Sequence, residues 1–164
     1  MSKGRCLRRL LIAIIAVSAF VSFPGCSDRP TDDGRKPPDF VVVPTVVTVG
    51  DHSYRAAVEP WRDLEPGDAS GLLARAILIE ADSMDADSNL SPTYIWIATG
   101  EQIWGAPLKE IDRPSSYRYL ITAMARNGPY WPPQALVQTV IEFGDADGQR
   151  YLLRAPDTAI LAAY

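Results

Sequence analysis

Apolar residues along this chain fall into two regimes. From Leu10 to Phe23 they run almost unbroken, interrupted only by Ser18 and Ser22. From Phe40 onward they recur in short segments, many alternating, with turn residues between them. Alternation is clearest where Tyr117, Tyr119, Ile121, Ala123 and Ala125 share one parity, and where Val137, Thr139, Ile141 and Phe143 share one. Side chains two apart lie on one face of a strand, so both segments read as strands. Thr93-Tyr-Ile-Trp-Ile-Ala98 reads the same way, from its aromatic and β-branched content.

Further strands are expected at Phe40–Val43 with Val46, Val47 and Val49, at Ser53–Glu59, at Tyr151–Arg154 and at Thr158–Tyr164. Pro44 lacks an N–H and marks the first of these as an edge strand or two short pieces. Residues 71–82 are ambiguous. Leu, Ala and Arg favour a helix there, with Asp68 or Ser70 as a cap, while Ile77-Leu78-Ile79 and the neighbouring strands favour a buried strand, and a strand is expected. Glu65-Pro66-Gly67-Asp68 and Gly144-Asp-Ala-Asp-Gly148 read as turns, the second closing a hairpin at Asp147-Gly148. Seven or eight short strands with no long amphipathic helix predict an all-β, antiparallel β-sandwich over residues 40–164. In general shape it resembles the immunoglobulin and fibronectin type III sandwiches, although no Cys…Trp…Cys pattern marks a true immunoglobulin domain.

The first regime has a different meaning. Lys3, Arg5, Arg8 and Arg9 precede the apolar run, and Pro24-Gly25-Cys26 closes it. A basic start, an apolar middle and a small residue before a cut form a secretory signal, and the run is shorter than the roughly 20 residues a spanning helix needs. Phe23-Pro24-Gly25-Cys26 resembles the lipobox of bacterial lipoproteins: Gly25 and Cys26 match, while Phe23 and Pro24 depart from the usual aliphatic and small residues. The resemblance covers residues 1–26. It implies cleavage after residue 25, acylation of Cys26 and a lipid bilayer as the first partner. It also implies an exported, lipid-anchored cell-envelope location. Ser27, where an Asp would favour inner-membrane retention, leans towards the outer membrane, and Asp28 weakens that lean. Residues 26–39 hold Pro30, Gly34, Pro37 and Pro38 among charges and no large apolar side chain, the composition of a flexible linker.

Removing residues 1–25 takes four basic residues from the 16 Lys and Arg, leaving 12 against 20 Asp and Glu, a net charge of −8. That balance argues against nucleic acid and against charge-driven binding to an anionic lipid surface. The two cysteines are Cys6, which leaves with the signal, and Cys26, so no disulfide is expected within the mature domain.

Candidate chemistry is sparse. Asp85-x-Asp87-x-Asn89 copies the start of a calcium loop, but Leu90 and Trp96 stand where glycine and a carboxylate are required, so a solvated loop is the expectation. His52 is the only histidine; there is no Gly-x-Ser-x-Gly elbow, no zinc spacing and no phosphate-binding glycine loop. Neither cofactor nor catalytic residue is predicted. Asn127-Gly-Pro-Tyr-Trp-Pro-Pro133 is the most distinctive segment, a proline-stiffened loop carrying Tyr130 and Trp131. With Trp104, beside Gly105-Ala-Pro107, these aromatics are candidate ligand-binding residues, set against a reading in which Trp131 folds back to close the sandwich. Three functions remain open: a non-enzymatic envelope module that binds another envelope protein or supports an assembly, a carbohydrate-binding module, and a small hydrolase.

Overall fold

The computed structural model describes residues 34–64 and 71–164. The signal segment, Cys26, most of the linker and the turn at 65–68 lie outside them. Ten strands form among the described residues: β1 (Val47–Val49), β2 (His52–Asp63), β3 (Leu73–Glu80), β4 (Ser91–Thr99), β5 (Gln102–Pro107), β6 (Lys109–Asp112), β7 (Leu120–Ala125), β8 (Leu136–Gly144), β9 (Arg150–Ala159) and β10 (Leu161–Ala163). They make two sheets. One runs β1-β2-β3-β7-β6, with β10 also on β2, and the other runs β5-β4-β8-β9. All pairings are antiparallel except that of β10 with β2. The protein is an all-β sandwich.

The core between the sheets is built from unequal faces. The six-stranded sheet offers small side chains, Ala56, Ala74, Ala76, Ala123 and Ala125, beside Leu78 and Ile121. The four-stranded sheet answers with Ile95, Ile97, Trp104, Ile141, Phe143 and Leu153. Bulky residues seat over small ones, which lets two pleated faces interdigitate without voids. The alternation of Ala74, Ala76 and Leu78, all fully buried, makes residues 73–80 a strand despite their helix-favouring composition.

Two strands cross from one sheet to the other. The chain passes from β5 into β6 at Leu108, whose N–H still donates to the Thr93 carbonyl in β4. It passes from β9 into β10 at Ile160, whose N–H donates to Ala135. Both crossing side chains are buried, so they close the sandwich where its sheets would otherwise splay.

The strand count departs from the expected seven or eight because β5 and β6 carry weak signals. Gly105 and Pro107 interrupt β5, and Lys109-Glu-Ile-Asp112 is exposed throughout and does not alternate. Arg150–Ala159 forms one strand across Pro156, which an edge strand with a bulge at Val137/Thr139 accommodates. Two expected features shrink. Tyr117 and Tyr119 lie before β7, and Phe40–Val43 forms turns that lead into the three residues of β1.

Candidate functional site

The four-stranded sheet is apolar on both faces. Ile95 and Ile97 of β4 and Val137, Ile141 and Phe143 of β8 face the core, while Tyr94, Trp96, Ala98 and Val140 form a second buried cluster on the outside. Tyr94 and Trp96 lie ring to ring, 4.6 Å between centroids and inclined at 52°. Gly105 makes room for them: a Cβ there would sit 2.9 Å from the Tyr94 hydroxyl and 3.2 Å from Trp96 Cδ1. Water is kept off this face by the segment before β1. Phe40 and Val43 join the outer cluster, and the Pro44 carbonyl accepts the Arg154 N–H of β9 at 2.8 Å. We refer to residues 34–46 as the strap.

Between strap and sheet lies a cleft of about 400 Å³. Trp96, Leu152 and Pro38 give it apolar walls, and Arg35, Lys36, Arg150 and Glu142 give it charge. Glu142 is nearly buried and well held: its Oε1 accepts from Arg35 Nη1 at 2.7 Å and from the Thr93 hydroxyl at 2.9 Å, with Arg150 Nη1 at 3.8 Å. The Arg35 guanidinium also lies over the Tyr94 ring, 4.7 Å from its centroid. Arg35 therefore couples the end of the expected linker to the sheet through a charge-assisted hydrogen bond and a cation–π contact. At this end the ordered fold begins before Phe40.

The aromatics singled out from the sequence are placed differently. Trp131 is 6% exposed and Trp104 is 3% exposed, both in the main core. Trp131 donates from Nε1 to Gln102 Oε1 at 2.5 Å, and Gly128 packs against Trp104 Cε2. Only Tyr130 is exposed, with the Arg62 guanidinium 5.2 Å from its ring centroid. The loop closes one end of the sandwich and presents no coplanar aromatic platform. Trp104 and Trp131 are thereby corrected from candidate ligand-binding residues to core residues. Their large apolar areas are covered by the sandwich itself.

The acidic loop after β3 is tied by its own partners. Arg113 donates to the carbonyls of Asp87, Ser88 and Leu90, Asp85 pairs with Arg118 at 3.0 Å, and Asp87 Oδ1 accepts the Asn89 N–H. The Arg113 guanidinium thus gathers the carbonyl oxygens of this loop. His52 faces the buried Glu80, Nδ1 to Oε1 at 3.6 Å, and Glu80 Oε2 accepts the Met84 N–H. Glu80 serves as a cap for the turn after β3.

The strap and its cleft were not among the sequence-based candidates. The signal that points to them is the continuous apolar run Tyr94-Ile-Trp-Ile-Ala98, since a strand buried on both faces does not alternate. A sheet apolar on its outer face needs a cover, and Phe40 and Val43 supply one. Compared with known proteins, the chain matches no protein-family model and no curated sequence.

Proposed function

We propose that this chain is a lipid-anchored envelope protein, acylated at Cys26, whose β-sandwich binds a partner without catalysing a reaction, and that the strapped face of the four-stranded sheet is its binding surface. The observation that carries this reading is the strap itself. The residues that follow the lipobox-like Phe23–Cys26 continue directly into the segment that roofs the outer cluster and forms one wall of the cleft. From Cys26 to Gly34 the chain can span at most about 28 Å, even fully extended. A lipid on Cys26 would hold the strapped face close to the bilayer surface.

The carbohydrate-binding reading loses its support with Trp104 and Trp131 in the core. A hydrolase reading gains nothing from His52, whose mapped neighbour is a carboxylate engaged in capping a turn. Intact mass of the protein extracted from membranes tests the anchor. The expected species is residues 26–164 plus acyl chains, lost in a Cys26→Ser variant. An unacylated soluble product in the wild type would refute it and shift attention to freely diffusing targets.

A further inference from the structure

The charge in the cleft is out of balance with the rest of the surface. Elsewhere three exposed arginines each pair with one carboxylate: Arg75 with Glu59, Arg118 with Asp85, Arg126 with Glu110. Among the described residues that line the cleft, three cations, Arg35, Lys36 and Arg150, stand with one carboxylate, Glu142. The walls therefore carry a local charge of +2 in a protein whose formal net charge is −4. Beside these charges, Leu152 and Pro38 leave apolar surface that charge alone does not require, with the buried Trp96 behind them.

We propose that the cleft takes a phosphate monoester carried on an apolar body. A phosphate monoester is close to a dianion at neutral pH, its second pKa being about 6. It would neutralise the excess charge of the walls. Guanidinium groups match phosphate and carboxylate oxygens alike in paired hydrogen bonds, but a carboxylate would offset only one of the two excess charges. Glu142 keeps Arg35 in place, accepting from Nη1 at 2.7 Å while Tyr94 supports the guanidinium from below. Arg150 is the more exposed of the two arginines and approaches Glu142 only to 3.8 Å, which leaves its donors directed by the ligand more than by the protein. The apolar body would lie against Leu152 and Pro38. A lipid phosphate and a small soluble phosphomonoester share this chemistry.

This inference rests on the reading of the strapped face as the binding surface, and the test separates the two. Full-length protein in a neutral detergent is titrated calorimetrically with phenyl phosphate, with benzyl alcohol, and with phosphatidic acid dispersed in the same micelles. Saturable binding of phenyl phosphate, absent with benzyl alcohol, supports a soluble source. Binding of phosphatidic acid alone supports a lipid source. In either case Arg150→Gln and Lys36→Gln should each weaken binding at least about 10-fold, and affinity should fall below pH 6 as the phosphate gains a proton. Arg150 is two-thirds exposed, so its replacement leaves the fold intact, which the melting temperature verifies. No binding of either phosphate, or equal binding by both variants, overturns the proposal. Intact mass of the same preparation reports on Cys26 independently: binding without acyl groups keeps the cleft and removes the anchor, and acyl groups without binding do the reverse.

Discussion

Replacing Gly71 with alanine should destabilise the sandwich by about 3 kcal/mol, through a single contact. Gly71 and Leu72 lead into β3, and Gly128 opens the loop that carries Trp131. The Leu72 N–H donates to the Gly128 carbonyl at 3.2 Å, and the Gly128 N–H returns a bond to the Leu72 carbonyl at 2.9 Å. A Cβ on Gly71 would stand 2.0 Å from the Gly128 oxygen. That oxygen would have to withdraw by roughly 1 Å to reach a separation that real side chains tolerate. Its neighbours restrict the movement: Gly128 itself lies against Leu72 Cβ and Trp104 Cε2, both in the core.

The magnitude follows from these constraints. Each of the two backbone bonds contributes about 1 kcal/mol, and more if its buried donor is left without a partner. Overpacking adds about 1–3 kcal/mol, and burying the extra methyl group returns only about 0.8 kcal/mol. For a domain of this size a loss of 3 kcal/mol lowers the melting temperature by about 10–12 °C. Urea unfolding and calorimetry measure both quantities. Gly148→Ala provides the scale: Gly148 has φ +81° and nothing within 4 Å of a built Cβ, so it should cost only the roughly 1 kcal/mol of left-handed strain. A Gly71→Ala loss below 1 kcal/mol, or one no larger than that of Gly148→Ala, would refute the reasoning.

Two further outcomes are expected. Phe40→Ala removes the main apolar contact of the strap; a comparable loss in a closed core costs about 3–5 kcal/mol, but a strap that can peel away should limit the global loss to about 1–2 kcal/mol. Hydrogen exchange should then accelerate at the Arg154 amide, which donates to Pro44, and unchanged protection there would count against a separable strap. Tyr54 is fully buried, and burial, first among its causes, pushes its phenol above the ordinary value of 10.0. A raised folded pKa gives stability that is complete below pH 10.0 and fades as pH climbs towards the folded value. Wild type should therefore lose stability above pH 10.0 relative to Tyr54→Phe, while near neutrality the variant is weaker by about 1 kcal/mol for the lost bond from the Asp87 N–H. Parallel stability profiles for the two proteins across the alkaline range would exclude this role for Tyr54.

Periodicity revealed the parts of this fold whose environment is set by neighbouring residues. Val137, Thr139, Ile141 and Phe143 share the core face that their spacing predicts, and the corner at Asp147-Gly148 takes the positive φ that glycine permits. Local reading failed where a distant segment decides the outcome. Phe40-Val-Val-Val43 has the composition of a strand, yet it forms turns because its partner is the outer face of a sheet and not an adjacent strand edge. Trp131 sits in a loop rich in proline, the setting of an exposed aromatic, yet Gln102 and the core around Trp104 receive it. The cleft was the least legible feature of all: Arg35 and Glu142 are separated by 107 positions, and no short window contains both.

The same separation has a mechanical consequence. Among the described residues, a pull on the chain from its N-terminal side would reach Arg35 before any strand, and would be opposed there by its bond to Glu142, then by Phe40 and Val43 on the outer cluster, and then by Pro44 against β9. None of these contacts belongs to the core between the sheets. The strap could therefore be drawn off without unfolding the sandwich, exposing Tyr94 and Trp96 and removing Arg35 and Lys36 from the cleft. A ligand held jointly by strap and sheet would oppose that movement, since its affinity depends on both walls being in place. If Cys26 carries lipid, tension along the tether and occupancy of the cleft become opposing influences on one equilibrium, with Glu142 at the contact where they meet.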